Sequence, residues 1–112
     1  MILEIVDLYT KDSEILEFYE AEDVVEIITP DHEDGFGLLV RSNGSEITCT
    51  VKAGNSIYAM GDLAVEVPAG GDVLINLKNT GRFKNVNGEK SGKIIVEFSG
   101  NISDAQVCAV SL

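Results

Sequence analysis

His32 is the one imidazole in this chain of 112 residues, and it stands in "TPDHEDGFG", a polar turn that opens after Pro30. A Ser–His–Asp or Cys–His arrangement would have to use it. No shielded nucleophile lies near it, and Cys49 and Cys108 sit inside apolar, strand-like stretches. Asp31, His32, Glu33 and Asp34 are hard ligands by type. Calcium needs several oxygens from a loop with spaced acids, whereas neighbouring side chains here point apart, so the expectation is a solvated acidic turn. Zinc would need Cys and His sets that the chain does not carry. Among nineteen acids some carboxylate pairs are inevitable and do not by themselves indicate glycoside hydrolysis. "AGGD" (Ala69–Asp72) falls between two strand patterns and reads as a turn, not a phosphate cradle. "NGS" at Asn43 and "NIS" at Asn101 match the glycosylation acceptor pattern, which matters only after secretion. The expectation is a protein that is not an enzyme, with no catalytic, cofactor-binding or metal-ligating residues.

Charge gives a stronger signal. The net charge is -11, and it is unevenly placed. Residues 1–35 hold twelve acids against Lys11, while residues 36–112 hold seven acids and seven bases. Five of the eight basic residues (Lys78, Arg82, Lys84, Lys90 and Lys93) crowd into one sixteen-residue stretch around "NTGRFKNVNGEK". Two readings of that stretch stand side by side. It is an ordinary long loop with Phe83 tucked under it, or Phe83 is an exposed aromatic anchor flanked by Arg82 and Lys84, as interface hot spots often are. The second reading makes Arg82, Phe83, Lys84, Lys78 and Lys90 interface residues that dock on the acidic third of another copy, in a homo-oligomer. An acidic surface repels phosphate, so no nucleic acid is expected as a partner.

The elements that must position these residues are strands. "EITCTVK" (Glu46–Lys52), "DLAVEV" (Asp62–Val67), "DVLINL" (Asp72–Leu77) and "KIIVEFS" (Lys93–Ser99) alternate apolar and polar residues, the mark of half-buried strands. "FGLLVRS" (Phe36–Ser42) and "AQVCAVSL" are apolar on both faces over part of their length, as a central or interface-facing strand would be. "VVEII" is short and β-branched and reads as a strand too. Turn signals recur every 10–15 residues, among them "SNGS", "KAGN", "VPAGGD" and "VNGEKSG", a spacing that indicates an all-β sandwich or barrel. Ser13–Asp23 fits either a helix or an alternating strand, with strands favoured.

Length and composition predict one domain over residues 1–112. No basic n-region follows Met1 and no apolar run reaches the ~20 residues of a membrane span, so neither export nor a membrane partner is expected. Both cysteines are then expected to be reduced and buried.

Residues Val51–Leu112 resemble a family of small proteins encoded in the structural modules of tailed bacteriophages and prophages. The resemblance rests on Gly61–Leu63 with Val65, Val67–Gly70 ("VPAG"), Gly81–Phe83 ("GRF"), Gly92–Ser99 and the closing Val107–Leu112, and extends upstream through "EDGFGLLVRSNGS". It implies an antiparallel β-sandwich, jelly-roll-like, in a virion structural protein. Such a protein would be a capsid decoration or cement protein that contacts the major capsid or another virion protein. The alternative it leaves open is a carbohydrate- or host-surface-binding module of a tail or fibre.

Overall fold

The computed structural model describes residues 1–7, 16–28, 36–55, 59, 61–77 and 82–111. The first strands among these, in chain order, are β1 (Ile2–Leu3), β2 (Ile5–Asp7), β3 (Tyr19–Glu20), β4 (Val24–Ile28) and β5 (Phe36–Ser42). They are followed by β6 (Ile47–Val51), β7 (Leu63–Val67), β8 (Asp72–Asn76), β9 (Lys93–Ser99) and β10 (Ala105–Ser111). His32, the acidic turn Asp31–Asp34, Lys78 and Ser13–Ile15 lie outside the described residues. Of the segment read as helix or strand, Tyr19–Glu20 forms β3 and Leu16–Phe18 precedes it without regular structure.

The strands form two sheets, β1-β4-β9-β6-β7 and β2-β10-β5-β8, with β3 also paired to β10. Their stacking is a β-sandwich, and its smallest dimension is 20 Å, as two layers about 10 Å apart require. Alternation in the sequence decides what lies between the layers. Val25 and Ile27 of β4, Cys49 and Val51 of β6, and Ile94 and Val96 of β9 are each 0% exposed. Leu38 and Val40 of β5 and Val107 of β10 meet them from the other sheet. Each such aliphatic side chain stabilises the fold by roughly 1.5–3 kcal/mol through loss of water contact.

The sandwich is not antiparallel throughout. β1 runs parallel to β4, with Ile2 opposite Glu26 and Leu3 opposite Ile27. β2 runs parallel to β10, with Ile5 opposite Ala109 and Val6 opposite Val110. The sheets are therefore mixed. No hairpin dictates the direction of this strand, and its register is set by Leu3, which is buried in the core at 1% exposure. At Glu4 the chain steps from one sheet to the other and so closes one side of the sandwich.

The opposite side is closed by the turn that carries the chain from β7 to β8. Its Gly70 has φ +74°, where a side chain would be strained, and its N–H donates to the Ser42 carbonyl at 2.7 Å. β5 and β10, apolar on both faces in sequence, are the central strands of the second sheet. Over its outer face the Arg41 guanidinium lies 4.3 Å from the Phe18 ring centre and Arg41 Nε donates to Asp72 Oδ1 at 3.0 Å.

Candidate interaction surface

The basic stretch is built as a tied-down loop. Lys84 bridges Ile94 of β9, the Asn85 N–H donates to the Lys93 carbonyl at 3.0 Å, and the Gly92 N–H donates back to the Asn85 carbonyl at 2.7 Å. A second turn, the one after β6, holds the loop from its other side. The Gly54 N–H donates to the Arg82 carbonyl at 3.0 Å. Asn55 Oδ1 accepts from the Val86 N–H at 2.7 Å, and its Nδ2 donates to the Asn87 carbonyl at 3.0 Å. Backbone lies against backbone here: a Cβ on Gly54 would stand 2.3 Å from the Lys84 carbonyl oxygen. Glycine is required by proximity, not by its φ.

This stitching decides the fate of Phe83. It is 2% exposed and belongs to the core cluster, with the Arg82 guanidinium 4.7 Å above its ring. The exposed aromatic anchor expected from its charged flanks is corrected: Phe83 plugs the sandwich and Arg82 caps it. With the loop backbone pinned on both sides, the ring's place is inward, where it loses about as much water contact as any core residue. Arg82 and Lys84 are half-buried and Lys90 is exposed.

The charges of the loop also meet the acidic third inside one molecule. The Lys90 ammonium donates to the Glu26 carboxylate on β4, and the Glu26 side chain is 14% exposed. That hydrogen bond, chiefly, holds the Glu26 carboxyl below its ordinary range, with partial desolvation opposing it. A second pair sits nearby. Lys52 Nζ donates to Asp62 Oδ2 at 2.8 Å and stands 3.9 Å from Glu97, while the Ala53 N–H donates to Asp62 Oδ1 at 2.6 Å. The pair raises Lys52 and lowers Asp62, each mainly through their mutual hydrogen bond.

Sequence reasoning did not single out the outer face of the first sheet. Of the seven large hydrophobic residues exposed among the described ones, three lie on it: Ile2 at 54%, Val24 at 45% and Ile28 at 41%. Ile95 of β9 faces the same way and is half-buried. "VVEII" held the signal, because it is apolar at both of the alternate positions that flank Glu26. Its outer row is nearly as apolar as its inner one.

Cys49 on β6 and Cys108 on β10 are free thiols in different sheets, both buried. Burial pushes the Cys49 thiol up to about 12 and raises Cys108 as well. Among the described residues no group of three or more His, Cys, Asp or Glu side chains is arranged to hold a metal ion, and no helix is long and apolar enough to cross a membrane. A shallow cavity of about 210 Å³ lies between Leu16, Phe18, Leu39 and the paired Arg41 and Asp72. Comparison with family models, curated proteins and solved structures found no match to this chain.

Proposed function

We propose that this chain is a non-enzymatic structural subunit of a tailed-phage or prophage particle, a jelly-roll head decoration or cement protein that works by self-association and contact with the shell. One observation carries the reading. Taken from β3 to β10, the strands run β3-β10-β5-β8 in one sheet against β4-β9-β6-β7 in the other. Successive strands thus cross between sheets except at the β6–β7 pair, which supports reading them as the two interleaved Greek keys of an eight-stranded jelly roll. The positions behind the phage-family resemblance fall at structural points of this topology. Val67–Gly70 leads into the sheet-crossing turn, Phe83 plugs the core, and Gly92–Ser99 enters and forms β9.

The glycan-binding alternative draws less support. The cavity on the second sheet is walled mainly by aliphatic and aromatic carbon, and its Arg41 and Asp72 are paired with each other, which suits an apolar group more than a polyol.

The test is quantitative mass spectrometry of particles released from the strain that carries this chain. A ratio near one copy per shell subunit, or per small cluster of them, supports head decoration. A handful of copies per particle moves the protein to the neck, tail or fibre, and absence from particles ends the virion reading.

A further inference from the structure

We propose that the outer face of the first sheet is a two-fold interface, occupied by the same face of a second copy of this chain. It supplies a surface for the self-association in the proposed function, and rests on that reading only for its biological use.

The argument is the charge pattern. β4 and β9 pair antiparallel with Val24 opposite Glu97, Glu26 opposite Ile95 and Ile28 opposite Lys93. Because every second residue faces outward, these six side chains form three rows across the outer face. The middle row carries Ile95 with Glu26, extends to Ile2 on β1, and has its acid neutralised by Lys90. On β9 one flanking row carries a base, Lys93, and the other an acid, Glu97, whose carboxylate stands 3.9 Å from Lys52, just after β6. Lys93 and Glu97 each lie two residues from Ile95, roughly 7 Å along the strand. A two-fold axis laid along the middle row turns one copy over onto the other. Lys93 then faces Glu97 of the second copy, Glu97 faces its Lys93, Ile28 meets Val24, and the middle row meets itself: Ile2, Ile95, the Glu26–Lys90 pair, and Lys52, whose charge Asp62 neutralises. An axis laid along β9 instead sets Lys93 on Lys93 and Glu97 on Glu97. Of these two orientations only the first pairs Lys93 with Glu97, the self-complementarity that an isologous contact requires. Ile2, Val24 and Ile28, left in water by the single chain, supply the apolar centre.

The experiment is sedimentation equilibrium on the full chain over a range of micromolar concentrations, with circular dichroism to confirm that each variant is folded. Wild type is expected to form dimers that weaken as salt is raised. Lys93→Glu and Glu97→Lys are each expected to weaken dimerisation by on the order of tenfold or more, because each sets like charges together. An equimolar mixture of the two variants, or the double variant, is expected to restore association. A chain that stays monomeric, dimers indifferent to both single variants, a mixture that fails to restore them, or closed rings of higher order would each overturn the proposal. A dimer that is absent from particles leaves this interface standing and ends the virion reading. A monomer present stoichiometrically in particles does the reverse.

Discussion

Lys90, in the turn before β9, places its ammonium on the carboxylate of Glu26, 64 residues earlier on β4. The most basic stretch of the chain and its acidic third are thereby joined within one molecule. The contact also sets a base over an acid among the apolar side chains of Ile2, Val24, Ile28 and Ile95, on a sheet face that carries Lys93 toward one end of β9 and Glu97 toward the other.

This pair has a pH signature. Glu26 has a lowered carboxyl in the folded chain, so its contribution is present at neutral pH and is lost as pH falls below its ordinary value of 4.5 and through the lower folded value. Glu26→Gln is expected to lower the urea midpoint at pH 7. The gap between variant and wild type should then close as the acid range is entered. A gap that persists unchanged at pH 3 would mean that packing, not charge, is what Glu26 supplies.

Phe83 and Arg82 should separate cleanly. Phe83→Ala empties a core position and is expected to cost about 3–5 kcal/mol, read by chemical denaturation. Arg82→Ala removes a cation from the ring face and is expected to cost under about 1 kcal/mol. Comparable losses in the two variants would contradict the buried plug.

Gly54 is constrained by the Lys84 carbonyl rather than by its own backbone angle. Gly54→Ala must push two backbone segments apart and is expected to destabilise by about 1–3 kcal/mol. Hydrogen exchange should report the damage locally, with faster exchange at the Val86 and Gly54 amides than at those of β5 and β10. Uniform acceleration across both sheets would place the strain elsewhere.

The thiols should be silent in the native protein. With Cys49 held near 12 and both side chains out of water, a disulfide reagent at pH 8 is expected to titrate no thiol until denaturant is added, and two thereafter. Prompt reaction in buffer would show that one of the sheets opens readily.

Most of the fold was legible where a strand carries its own alternation. "FGLLVRS" and "KIIVEFS" coincide with β5 and β9 to the residue, and the inward sets of β6, β7 and β8 follow their patterns. The strand formed by residues 2–7 was not legible, because it spends two residues in one sheet and three in the other. Its apolar run "ILEIV" faces two different directions around Glu4, which hides any single period. Phe83 was misread for a related reason. Flanking charges describe the neighbours' solvation, whereas the ring is turned inward by the backbone bonds that tie Arg82 to Gly54 and Asn85 to Lys93, neither of which its immediate neighbours reveal. The outer face of β4 passed unnoticed because an apolar residue on each side of a strand looks the same whether the second side meets water or a partner.

The step at Glu4 also has a kinetic meaning. β2 pairs with β10, so Ile5 waits for Ala109, and during synthesis β2 has no partner strand until β10 has been made. Closing so long a loop must precede the contacts that stabilise it, which puts folding on the millisecond-to-second scale of non-local β topologies. The growing chain is then at its most vulnerable to edge-to-edge pairing with other nascent copies, and completion of β10 ends that exposure.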